Sequence, residues 1–160
     1  MLNNQEYPNY YKDNFSEVLD KLIDYITNLI ENKSNVEGYI VVYGLNKFIT
    51  KLNDNNKLTE LLKKLKEYEK ISLIVIDDAA KIKTYNYEKW FTENFSINDG
   101  IWIGKGIIEQ NLLRTSNVTK EMTQEIKNNM GYIVQENIPL LTKLIDFVSS
   151  DEEEVDNNGK

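Results

Sequence analysis

The sequence predicts an α/β fold, a largely parallel sheet flanked by helices and closed by a C-terminal β-hairpin. Three observations predict it. Ile71-Ser72-Leu73-Ile74-Val75-Ile76 is a short, nearly continuous apolar run ending in Asp77-Asp78, the pattern of a central strand covered on both faces. Helical periodicities alternate with β-branched runs at a spacing that suits crossover connections. Two late β-rich segments are separated by Glu136-Asn137, which reads as a hairpin turn.

The elements follow in order. Residues 1–13 are polar and Tyr-rich and read as an irregular lead-in. Val18, Leu19, Leu22, Ile23, Ile26, Leu29 and Ile30 recur at helical spacing, so residues 16–31 read as an amphipathic helix, with Asn14 and Glu17 as its capping box. Gly38-Tyr39-Ile40-Val41-Val42-Tyr43 is β-branched and aromatic and predicts a strand, broken by Gly44 before a short helix from Asn46. Leu58, Leu61, Leu62, Leu65 and Tyr68 form the apolar face of a second helix whose Lys-rich face is interleaved with glutamates and reads as solvated.

After Asp78 comes a helical or irregular region with Tyr85, Tyr87, Trp90, Phe91 and Phe95. Gly100 to Ile103 predicts a strand, residues 107–113 a helical segment, and residues 119–129 a further helix with Met122 and Ile126 inward. Residues 131–134 and 140–147 complete the hairpin. Residues 14–148 therefore read as one domain, and 149–160 as a disordered acidic tail.

A chain of 160 residues is long enough for a real core, and 41% hydrophobic content is that of a globular protein. With no Cys and no His, disulfides, cysteine nucleophiles, Cys/His zinc sites and His-based triads are excluded. A net charge of −7 argues against nucleic acid and favours a basic protein partner. No segment approaches 18 consecutive apolar residues, and the N-terminus has no basic, apolar targeting pattern.

Three places carry possible chemistry. Asp77 and Asp78 suit a magnesium ion beside a phosphate, or a cap for the helix opening at Ala79; capping alone already explains an Asp there. Gly104-Lys105-Gly106 invites a phosphate-loop reading, but Glu109 stands where a dinucleotide fingerprint needs Gly, and no Walker A sequence occurs; a tight turn is the simpler account. Tyr87, Trp90 and Phe91, with Tyr85 and Phe95, read either as a partner-binding patch or as core beneath a long connection.

Taken together, the strand at Tyr39 to Tyr43 after a long helix, the strand at Leu73 to Ile76 after a leucine-rich one, and the segments Asp99-Gly100-Ile101-Trp102-Ile103-Gly104-Lys105-Gly106 and Asn129-Met130-Gly131-Tyr132-Ile133-Val134 resemble RecA-like ATPase modules of the FtsK/SpoIIIE type. The hairpin end is most similar to the C-terminal, degenerate ATPase domain of type VII secretion motor proteins of Gram-positive bacteria. The resemblance covers roughly residues 14–148 and implies a RecA-like sheet. It also implies docking of secreted substrates or adaptors and of other domains of the same motor chain, at the cytoplasmic face of the membrane, with membrane attachment only through the rest of that chain.

Tyr43-Gly44 stands where a working Walker B strand ends in acidic residues. We therefore expect no ATP hydrolysis and no cofactor, with Asp77 and Asp78 a helix cap or a vestigial acidic site. A chain beginning after the P-loop region would leave the nucleotide-binding half upstream of Met1. Two other readings stay open: a free-standing acidic binding protein such as a toxin immunity protein, and a small nucleotide-binding enzyme using Asp77, Asp78 and Lys105.

Overall fold

The computed structural model describes residues 11, 13–52, 55–124, 126, 127 and 129–144. The fold is α/β, with a two-stranded parallel sheet and a three-stranded antiparallel sheet. The chain divides into two compact units, Met1–Phe95 and Ser96–Lys160, where the sequence reads as a single domain over 14–148.

In the first unit, α1 (Phe15–Glu31), β1 (Gly38–Tyr43), α2 (Leu45–Lys51), α3 (Asn55–Tyr68) and β2 (Ile71–Ile76) lead into the single turns α4 (Ala79–Ile82) and α5 (Lys89–Thr92). Leu19, Ile23, Ile26 and Leu29 of α1 pack with Leu58, Leu61, Leu62 and Leu65 of α3 in one core. Lys57 Nζ reaches Asp20 Oδ2 at 2.6 Å and ties the two helices at their rim. The N-terminus of α1 departs from the expected capping box: Asn14 is left-handed at φ 58° and makes no side-chain cap, while Glu17 pairs with Lys21 at 2.7 Å. The i,i+4 salt bridge takes the carboxylate that a capping box would turn back to the chain.

Strands β1 and β2 run parallel, in the register Val41↔Ile74 and Tyr43↔Ile76. Alternate residues Ile40, Val42, Leu73 and Val75 lie against the helical core. The opposite alternation, Tyr39, Val41, Tyr43, Ile74 and Ile76, is exposed, at 76, 57, 84, 41 and 40%. The expectation of a doubly covered central strand is thus corrected: among the described residues β2 pairs with β1 alone and helices cover one face. An apolar run shows that both faces suit burial; what lies over the second face depends on elements far away in the chain. The entry into β1 is pinned from α3, whose Tyr68 hydroxyl donates to Val36 O (2.8 Å) and Ser34 O (3.2 Å).

The second unit is built on β3 (Gly100–Ile103), β4 (Met130–Gln135) and β5 (Ile138–Lys143), antiparallel in the order β3-β4-β5. The hairpin turn falls at Glu136 and Asn137, both left-handed (φ 50° and 68°), as the sequence predicts. Tyr132 and Val134 bury one face of the sheet with Ile107 and Met122.

Among the described residues, two segments depart from the helices the sequence predicts. Over 107–113 the Gln110 carboxamide captures the backbone instead, accepting from Leu112 N (2.6 Å) and Leu113 N (2.8 Å) and donating to Ile107 O and Leu113 O. Side-chain bonds of this kind compete directly with the helical ladder. Among the described residues of 119–129 the helical element is a 3₁₀ turn, Lys120–Thr123, bounded by extended Thr119 and Gln124. A segment that short has little intrinsic helicity, yet Met122 and Ile126 still face the second core. Residues 145–147 and the acidic tail lie outside the described residues.

Candidate functional site

The carboxyl ends of β1 and β2 come together at one place, the position at which open α/β sheets hold ligands. Chain geometry dictates what stands there. Gly44 leaves β1 at φ +76°, a left-handed step that suits glycine, and its amide continues the ladder to Ile76 O at 2.7 Å. That glycine precedes α2, so the helix has no side chain of its own to cap its first amides.

Asp77, arriving at the end of β2, supplies the missing acceptor. Its Oδ2 takes the Asn46 amide at 2.8 Å, and its Oδ1 takes the Asp78 amide at 2.8 Å and lies 3.3 Å from Lys81 Nζ. Its side chain is only 5% exposed. Lys81 also pairs with Asp78 at 2.8 Å, and the Tyr85 hydroxyl donates to Asn46 Oδ1 at 2.9 Å.

The sequence expectation for the two aspartates is refined by these contacts. Asp78 is the N-cap residue of α4, as a cap before Ala79 requires, but makes no side-chain cap bond. The cap that does form is made by Asp77 to α2, a helix 31 residues earlier in the chain. Cap rules look for a partner two or three residues away; the only sequence signal was glycine where α2 needed an acceptor.

The electrostatics follow from the same contacts. Burial pushes the Asp77 carboxyl upward, but the Asn46 and Asp78 amides and the Lys81 ammonium outweigh it and hold it below the usual aspartate value. Hydrogen bonds and charge from Asp78 and Asp77 raise Lys81. Burial, then the charges of Asp77 and Glu88, raises the Tyr85 phenol. The arrangement is a structural junction: its carboxylate already accepts two amides and faces an ammonium.

The other candidates separate. Gly104-Lys105-Gly106 is a turn, with both glycines left-handed (φ 92° and 85°) and the Trp102 indole donating to Lys105 O at 2.9 Å. Lys105 belongs to the second unit, and Asp77 and Asp78 belong to the first. Among the described residues no group of three acidic side chains is placed to hold a metal ion.

Of the aromatic trio, Phe91 is 7% exposed and belongs to the core, Trp90 is half-buried, and Tyr87 stands 96% exposed. Phe91 stacks on Phe95 with centroids 4.9 Å apart, and Trp90 meets Phe91 edge-on at 5.5 Å. A shallow cleft of about 330 Å³, lined mainly by Leu62, Leu65, Ile71, Leu73 and Phe95, borders this cluster.

No helix among the described residues is long and apolar enough to cross a membrane. Comparison with family models, curated proteins and solved structures gives no match to this chain.

Proposed function

We propose that this chain is a non-catalytic, RecA-like module of a type VII secretion motor, which recognises secreted substrates or adaptors and other domains of its own motor chain. The observation that carries the reading is the commitment of Asp77, the one well-buried carboxylate at the strand ends, to Asn46, Asp78 and Lys81. A carboxylate held in this way supports the sheet more directly than it supports a metal-bound phosphate.

Recognition falls in this reading to the open face of β1 and β2. Parallel sheets are covered on both faces in folded assemblies, and Tyr39, Val41, Tyr43, Ile74 and Ile76 are the apolar residues a partner would cover. Tyr87 offers a second aromatic anchor. The module works at the inner face of the membrane, held there by the rest of the motor.

The test is capture of a secreted substrate encoded beside this chain. Wild-type protein retains it on a column, and a Val41→Lys/Tyr43→Lys variant weakens retention by at least about tenfold, as loss of a central anchor does. Equal retention by the variant would refute the role of this face. Phosphate release from millimolar Mg-ATP would refute the non-catalytic reading.

The immunity-protein reading is favoured by one observation, the segregation of charge. Of the formal −7, residues 145–160 carry −5, six acidic residues against Lys160. A short acidic segment on a nearly neutral body suits steering toward a basic partner. Deleting residues 145–160 is expected to slow association with such a partner by about tenfold or more at low salt and to matter little in high salt. An unchanged association rate in stopped-flow measurements removes this reading.

A further inference from the structure

We infer that the chain self-associates through the outer face of the β3-β4-β5 sheet, two copies stacking these faces about a two-fold axis. The inference does not rest on the secretion-motor reading. An antiparallel sheet with one solvated face normally alternates apolar residues inward with polar residues outward. The inward half of that rule holds for Trp102, Tyr132 and Val134, which turn toward Ile107 and Met122.

The outward half is reversed. The register sets Ile101, Ile133 and Leu140 side by side, with Ile103 and Ile138 at alternate positions on the same face. These five aliphatic residues are exposed, at 64, 40, 65, 66 and 53% respectively. Gln135 and Thr142 are the polar side chains among them, and none of the outward positions of the three strands is charged.

Three features favour a second copy as the occupant. An uncharged aliphatic face is chemically complementary to itself, a requirement of a two-fold interface. Residues 96–144 contain five acidic and five basic residues, so identical copies meet there without net repulsion and a charged partner finds nothing to select. The exposed parts of the five side chains amount to roughly 500 Å² per copy, or about 1,000 Å² for the pair, which just reaches the size of a specific interface. The dimer is accordingly weak, half-dissociated at roughly 10–100 µM.

Sedimentation velocity on the full chain from about 1 to 300 µM tests this. The expected result is a rise from the 18.7 kDa monomer toward twice that mass. Ile133→Lys, central on the middle strand, is expected to move the midpoint at least about tenfold upward, and Tyr25→Lys, at an exposed position on α1, to leave it unchanged.

Because a strand variant can also weaken the fold, a second measurement uses the absence of cysteine from the chain. Stacked sheets lie about 10 Å apart, within reach of a short bismaleimide, so Ile133→Cys crosslinks to a dimer and Tyr25→Cys does not. A monomer throughout the concentration range, a dimer that persists in a folded Ile133→Lys variant, or equal crosslinking at both positions would overturn the inference.

Discussion

Truncating Ile26 to alanine is expected to lower the unfolding free energy by about 3 kcal/mol, within the range of about 2–5 kcal/mol for buried aliphatic deletions. Ile26 has no exposed surface and sits in the core where α1 meets α3. The change removes three carbons from a position enclosed by Leu and Ile side chains, so the loss combines transfer free energy with the cost of an incompletely collapsed cavity. Tyr25, its neighbour on the same helix, is 47% exposed. Tyr25→Ala is therefore expected to change stability by about 1 kcal/mol or less. Urea unfolding followed by circular dichroism measures both, and equal losses would mean that α1 does not bury the face described above.

Asp77→Ala is the second large effect, with a loss of about 2–3 kcal/mol. It strips the acceptor from the Asn46 and Asp78 amides and the partner from Lys81, and a partly buried amide left without an acceptor loses roughly 1–3 kcal/mol. Asp78→Ala, at a side chain 75% exposed that pairs with Lys81, is expected to lose under about 1 kcal/mol.

The same carboxylate gives the pH dependence a sign. Its folded value lies below its unfolded one, so its contribution is fully present above the unfolded aspartate value of about 3.9 and is lost as pH falls through the lower folded value. Wild-type stability is therefore expected to drop more steeply than that of Asp77→Ala below about pH 4. Parallel profiles in chemical unfolding from pH 7 to 2.5 would show that Asp77 carries no such linkage.

Much of the fold was legible because periodicity is local. The heptad-like leucines of α3, the seven apolar positions of α1 and the runs at 38–43, 71–76 and 100–103 each identify their element without reference to anything distant. The hairpin was legible for the same reason, through Glu136-Asn137 between two β-rich runs. Gln110 marks where this stops. Its four bonds to the backbone arise only once residues 107–113 have taken the shape that makes them.

The candidate site was half legible. Asp77 and Asp78 stand at a strand end, as expected, but what Asp77 does was set by a glycine 33 residues before it and by the parallel pairing that brings the two strand ends together. The aromatic trio shows the converse. Composition identified Tyr87, Trp90 and Phe91 as one group, whereas burial divides them into an exposed ring, a half-buried ring and a core ring.

The Asp77 cap also makes a local helix depend on a distant part of the chain. When the first seventy residues have formed, every residue of α2 is present, but the acceptor for its Asn46 amide is not. An isolated helix of seven residues is too short to persist alone. α2 therefore receives this cap only where β2 pairs along β1, which makes a local helix lean on a residue 31 positions distant and ties the end of the sheet to the turn beside it.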